Sequence, residues 1–277
     1  MKCYSILLSL LLFTPNLSLA QTTVMTYNIR YNNPNDGADW WEERKTEVVD
    51  LLQYYQPDLL GIQEALPAQT DFLDEHLQNH TYIGFGRDGE GTNSEGAPIF
   101  YDTTQFVLLD EEVIWLSPTP DKISRGWDAA LNRITVYGVF RNLSSGDTLH
   151  LFNCHFDHQG EIARVKSAEL LIRLLVEKNL TDKAIVVMGD LNCEPTDMPM
   201  QLLSAQLMDT YEAAPAPYGP LGTFNGFATE AEVNRRIDYV LSRNLQTLRH
   251  RIIDDRRQNN RYPSDHFPVL VELDIAR

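Results

Sequence analysis

The sequence predicts a single α/β domain over residues 21–277, and three observations point to it. The chain has 277 residues with 43% hydrophobic and 22% charged, a globular composition within the size range of one large layered domain. Short runs with strand alternation recur along it, separated by stretches of helical periodicity. No repeat, low-complexity tract or shift in composition divides it.

Residues 23–29 (TVMTYNI) alternate as a strand and lead into a loop rich in Asn, Pro, Asp and Gly. Trp41, Val48, Val49, Leu52 and Tyr55 recur at helical spacing until Pro57 stops the helix. A short buried strand is expected at 59–63 and a second helix at 67–78. Residues 98–116 read as two strands, and 133–156 as a hairpin turning at 144–147 (SSGD). The clearest amphipathic helix spans 161–178, with Ile162, Val165, Leu171, Ile172 and Leu175 on one face. A strand at 184–189, a short helix near 197–205, and strands near 237–242, 247–253 and 268–274 complete the series.

The first twenty residues differ in kind. Lys2 precedes an apolar run at 6–13, and Ser18, Leu19 and Ala20 end it with a small residue. That layout predicts a secretory signal peptide cleaved after Ala20, and a secreted or periplasmic protein. The run is too short for the roughly 20 residues that span a bilayer, so no stable membrane insertion is expected. Cys3 leaves with the leader, and Cys154 and Cys193 are too few for a disulfide scaffold, although a bridge between them stays open.

Acidic residues outnumber basic ones 39 to 23, a net charge of −16. Such a chain is poorly suited to non-specific duplex binding, which needs Lys and Arg against phosphates. It remains suited to a small phosphate ester held at a bound cation, whose charge dominates locally. Residues 235–261 run against the trend, with eight arginines and three aspartates. They are either a positive rim that guides phosphates or a charged edge hairpin that resists strand pairing.

Polar residues stand at the ends of six predicted strands. Asn28 closes TYNIR, Glu64 closes LLGIQE, and His155 and Asp157 lie in FNCHFD. Asp190 and Asn192 form GDLN after AIVVM, Asp238 sits in RRIDYV, and Asp265 and His266 sit in YPSDHFP. Beside apolar strands such groups need partners: each other, a metal or water. Hard cations take oxygen ligands, so Glu64, assisted by Asn28 and Asp265, is the expected site for Mg²⁺, with Mn²⁺ as the alternative. His155, Asp190, Asn192, Asp238 and His266 match the catalytic needs of ester hydrolysis, a group that orients or deprotonates water and donors for growing negative charge.

Taken in order, these motifs resemble the endonuclease/exonuclease/phosphatase superfamily, the DNase-I-like metal-dependent phosphoesterases. The likeness covers about residues 22–274, and SEGAPIFYD (94–102), WDAALNR (127–133), FNCHFDHQG (152–160) and GTFNGF (222–227) are most similar to a secreted bacterial branch. That branch is similar to the nocturnin-type deadenylases. The resemblance implies a four-layered α/β/β/α sandwich with two central, mostly antiparallel sheets packed face to face. It implies that Glu64 is the principal metal glutamate, with Asn28 from the first motif. It also makes His155 a phosphate contact, and Asp190 with Asn192 the pair that orients the nucleophile. His266, held by Asp238, is the last-motif histidine, and these two are favoured as the base dyad over Asp190.

Arg133, Arg164 and Trp127 are candidate substrate contacts. Trp40, Trp41 and Trp115 fit either a stacking surface or the core. The expected activity is metal-dependent hydrolysis of a phosphate ester by in-line water attack, on a small phosphorylated substrate or short nucleic acid, by a monomer. A nuclease acting on RNA from its 3′ end or on DNA internally is the nearest alternative. A non-catalytic binding subunit on the same fold is the alternative of another class.

Overall fold

The computed structural model describes residues 21–275, so the leader expected at residues 1–20 lies outside the described residues. The chain forms β1 (Thr22–Asn28), a 3-10 turn (Pro34–Asp39), α1 (Trp41–Tyr55), β2 (Leu59–Gln63), α2 (Pro67–His76), β3 (His80–Ile83) and β4 (Ile99–Asp102). It continues with β5 (Phe106–Trp115), β6 (Ile134–Asn142), β7 (Thr148–His155), α3 (Glu161–Glu177), β8 (Ala184–Asp190) and α4 (Met198–Ser204). Then follow β9 (Met208–Asp209), α5 (Thr210–Ala213), β10 (Asp238–Arg243), β11 (Leu245–Ile252) and β12 (Val269–Ile275). The short β3, β9 and α5 were not expected, because two to four residues carry no readable period. Helix α1 ends where Gln56 takes a left-handed conformation (φ 43°) and donates its N–H to the Leu52 carbonyl, just before Pro57.

The strands form two six-stranded sheets, ordered β11-β12-β1-β2-β4-β3 and β5-β6-β7-β8-β10-β9. Each contains one parallel pair, β1 with β2 and β7 with β8, and every other pairing is antiparallel. Strand alternation sorts the side chains into layers. Val24, Leu59, Val136, Leu151, Val186, Val240 and Val271 meet between the sheets. Met25, Tyr27, Leu60 and Ile62 face outward onto Val48, Leu52 and Leu73 of α1 and α2. Phe152, Ile185, Val187 and Tyr239 face outward onto Leu171, Leu175 and Leu203 of α3 and α4. The result is four layers, helix, sheet, sheet, helix. No helix among the described residues is long and apolar enough to cross a membrane.

One helix departs from the expected packing, and the two cysteines close the alternative left open for them. Helix α3 buries Ala163, Ser167 and Ala168 with its leucines, while Ile162 is exposed; the small residues let α3 approach the sheet closely and rotate Ile162 outward. Cys154 and Cys193 are both buried and free, in the layer between the second sheet and its helices.

Toward one end of the sandwich the inner face changes from hydrocarbon to polar groups. Gln63 donates from Nε2 to Thr26 Oγ1 (2.9 Å) and Asn153 Oδ1 (2.6 Å), and Asn153 donates to the carbonyls of Ile62, Ala97 and Pro98. This buried network ties the two sheets directly beneath the strand ends. Gly61 leaves room for it: a Cβ there would lie 2.6 Å from Asn153 Oδ1 and collide with the Met188 methyl. Gly61→Ala should therefore destabilise the fold by about 1–3 kcal/mol, the usual cost of overpacking, measured as a lower denaturant midpoint with unchanged slope. Unaltered stability would mean that Asn153 and Met188 move aside freely.

Candidate active site

The two parallel pairs bring the functional groups together. Parallel strands share a carboxyl end, so Asn28 stands opposite Gln63, with Glu64 next, and His155 stands opposite Asp190. Antiparallel β10 begins where β8 ends, which sets Asp238 opposite Asp190. Strand β12 begins beside the end of β1, so the loop before it delivers Asp265 and His266 to the same place. Loops at strand carboxyl ends are where layered α/β folds present reactive groups. Gly189, at φ 139°, passes so close to the Cys154 carbonyl that a side chain would collide with it, and this close approach holds the turn into Asp190.

Asp190 Oδ2 is the focus of the cluster. Asn28 Nδ2 donates to it at 3.0 Å and also to Glu64 Oε1 at 3.0 Å, bridging the two carboxylates. His155 Nε2 lies 3.7 Å from the same oxygen and His266 Nε2 lies 3.8 Å from it. Asp190 Oδ1 accepts the backbone N–H of Asn192, whose side chain donates to the Phe156 carbonyl. His266 Nδ1 bonds Asp238 Oδ2 at 2.9 Å, and Phe224 packs edge-on against the imidazole. Glu64 and Asn192 both take left-handed backbone conformations (φ 63° and 47°). For a glutamate this costs on the order of 1–3 kcal/mol, a strain typical of functional positions.

A second cluster supports His155. Arg133 is buried, with Nη1 3.1 Å from His155 Nε2, Nε 3.2 Å from Asp157 Oδ2 and Nη2 2.8 Å from His158 Nδ1. Asp157 also accepts the N–H groups of Gln159 and Gly160. Burial works against its ionisation, but these N–H groups and Arg133 overcome that and hold the acid well below the usual carboxylate range. His155 is pushed far below an ordinary histidine, first by burial and then by the Arg133 charge, so its imidazole is neutral.

The electrostatics fit a divalent cation. Burial and then the Asp238 charge raise Asp190, and burial raises Asp265 despite the neighbouring His266. Burial alone would lower His266, but the charge and hydrogen bond of Asp238, with Asp190 behind, raise it. The Arg30 guanidinium lies 3.9 Å from both Glu64 and Asp265 but is also paired with Asp36. Arg30 is thus shared among three acids, with Arg44 a second cation near Asp265. Glu64, His155 and Asp190 offer ligand atoms within 4.8 Å of one another, and so do Asp190, Asp238 and His266. Both trios share Asp190.

All eight residues expected on the catalytic face are at this end, although not all with the expected neighbours. Asp265 belongs to neither trio and faces Arg30, and Asn28 turns its amide N–H groups to the carboxylates while Oδ1 accepts the Arg30 N–H. Arg133 reaches the site through His155. Arg164 donates to the Asp157 carbonyl from the first turn of α3, bracing the loop. Trp127 is exposed with a left-handed backbone (φ 47°), whereas Trp41 and Trp115 are core residues. Arg30, Gln63 and Asn153 were missed. Thr26, Asn28, Gln63, Asn153 and His155 all occupy inner-face positions, and that parity is the signal that could have found the buried pair. Arg133→Met should raise the His155 pKa toward, but not to, that of a free histidine, because the guanidinium charge goes and the burial stays. An NMR titration of the His155 ring protons checks this, and an unchanged pKa would refute the coupling.

The comparisons with known proteins identify the family and the fold. The Endonuclease/Exonuclease/phosphatase family model matches residues 25–266. A family protein of Bacteroides thetaiotaomicron is 35% identical, with TM-score 0.87 over 92% of this chain and 98% of that one. A mannosyl-6-phosphatase of the same organism is 34% identical, with TM-score 0.86 over 91% of this chain and 99% of that one. Nocturnin of Rattus norvegicus is 25% identical over 286 residues, 90% of this chain. The chain spans less than two thirds of the length of the curated relatives it matches, 65% for this nocturnin and 60% for an uncharacterized mimivirus protein. With the matched residues running from β1 to His266, the chain belongs to the endonuclease/exonuclease/phosphatase family.

Proposed function

We propose that the protein is an exported, monomeric, divalent-metal-dependent phosphoesterase that hydrolyses a small phosphorylated substrate by in-line attack of water. The observation that carries this is the convergence of Asn28, His155 and His266 on one oxygen of Asp190, with Glu64 one amide away. Glu64 and Asp265 would hold Mg²⁺, or Mn²⁺ in its place, which when bound neutralises the acids and polarises a phosphate oxygen. Asp190 Oδ2 accepts the proton of the attacking water, and the free Oδ1 of Asn192 orients that water. His155 is neutral and donates to a phosphate oxygen. His266, kept charged by Asp238, stabilises the negative charge that grows in the transition state, while the bond from phosphorus to the ester oxygen opposite the water breaks and that oxygen leaves as an alcohol with a proton from solvent. This gives the proton-accepting role to Asp190 and makes the Asp238–His266 pair a charge stabiliser.

The charge distribution supports a small substrate over a long polynucleotide. All eight arginines of residues 235–261 are tied up within the protein: Arg236 with Asp209, Arg257 and Arg261 with Asp39, Arg249 with Glu272, Arg251 with Asp255 and Arg235 with Glu194. Arg243 and Arg256 bond backbone carbonyls. The segment is therefore no positive rim, and it is no hairpin either: β10 lies between β8 and β9 in the second sheet, while β11 edges the first. The 34% likeness to a mannosyl-6-phosphatase supports a sugar phosphate as the kind of small ester. The layout of residues 1–20 supports export.

Two outcomes are expected. His266→Ala and Asp238→Asn should each lower kcat by about two to four orders of magnitude, and the double variant should lose little more than His266→Ala alone. Losses that multiply would show that Asp238 does not act through His266. Chelation with EDTA should abolish turnover of a small ester and Mg²⁺ restore it, with KM nearly constant between low and physiological salt. Efficient cutting of long DNA or RNA that falls steeply with salt would instead establish a nuclease.

A further inference from the structure

Beside the catalytic face lies a second hollow, a cavity of about 380 Å³ between α2, the end of β3 and residues 84–96. Its size is that of small-molecule sites, which run from roughly 300 to 1,000 Å³. Two contacts connect it to the catalytic groups. Ala65, in its wall, directly follows Glu64, and its carbonyl accepts the Gly96 N–H at 2.7 Å. Gly96 lines both this cavity and the small recess formed by Arg133, His155 and Glu95. The hollow therefore adjoins the recess beside His155, with Gly96 common to the lining of both.

The lining has a definite chemistry. Phe85 and Pro67 provide apolar surface beside Ala65, and Thr70, Asn93 and Glu90 provide polar groups. Asn93 and Glu90 are exposed, and neither side chain has a hydrogen-bond or ion-pair partner among the described residues. Glu90 is the one charged residue in the lining, so nothing there would receive a second phosphate. A nucleotide chain, which carries a phosphate at every step, would meet repulsion from Glu90 and find no cation. A ring with an apolar C–H face and several hydroxyl groups matches the apolar wall, the free amide and the free carboxylate together.

Resting on the phosphoesterase reading, we propose that this cavity is the leaving-group subsite and takes an uncharged polyhydroxylated ring, a monosaccharide unit esterified to the phosphate. Phe85 and Pro67 pack against its C–H face, and Asn93 and Glu90 bond its hydroxyls. Specificity for the sugar then resides in residues 84–96, apart from the groups that handle the phosphate.

The test compares mannose 6-phosphate with methyl phosphate, whose leaving group is too small to enter the cavity. The wild-type protein should prefer the sugar ester in kcat/KM. Asn93→Trp, which fills the cavity from an exposed position where folding is not at stake, should reduce that preference by about tenfold or more, through KM for the sugar ester. Asn93→Ala, which removes only one neutral hydrogen bond, should reduce it by about two- to tenfold. Turnover of both esters without preference, or a preference that survives Asn93→Trp, overturns the subsite and leaves the phosphoesterase standing. No turnover of either ester with Mg²⁺ present overturns the phosphoesterase reading and the subsite with it.

Discussion

Everything at the working end of this protein depends on one constraint: the inner face of the sandwich must change from hydrocarbon to buried carboxylates within about one strand turn. Val186 and Met188 belong to the dry core, and Asp190, next on the same face, is almost fully buried. An acid in such a place is costly unless neighbours bond it. The Thr26, Gln63 and Asn153 layer makes the change gradual, since its amides satisfy backbone carbonyls of the first sheet and hold both sheets at one spacing. Above it, Asn28 bridges two acids, and Asp238 and His266 form a pair. Each level is polar enough to support the next.

The same constraint explains the division of labour between the histidines. Both rings approach the same oxygen of Asp190, yet they face opposite surroundings. His155 lies against a buried guanidinium, and His266 lies against a buried carboxylate. Arg133 and burial thus favour the neutral form of one imidazole and Asp238 the charged form of the other, although both rings approach the same carboxylate oxygen.

Much of this was legible in the sequence, for identifiable reasons. GDLN after five apolar residues, NCHFD and SDHFP each announce a strand ending in chemistry, and the catalytic residues were found because strand ends are where those motifs stand. The pairing that brings them together is not written locally: only the register of β7 with β8 and of β8 with β10 sets His155, Asp190 and Asp238 side by side. Gln63 and Asn153 escaped because an amide beside a known motif carries no separate signal unless strand parity is followed. The face of α3 was misjudged for a packing reason, since period counting favours Ile162 over Ala163 whereas close approach to a sheet favours the smaller residue. The arginine-rich segment was ambiguous because composition does not reveal that Asp39, Asp209 and Glu272 wait for those charges.

Those internal pairings have a consequence for how the molecule behaves toward ions in solution. With six of the eight arginines of residues 235–261 paired to acids at home, the excess of acids that gives the chain a charge of −16 dominates the field outside it. A surface of that sign concentrates divalent cations from dilute solution before any of them reaches the strand ends. Attraction for the ion is thus a property of the whole surface, one that no single residue at the strand ends could supply.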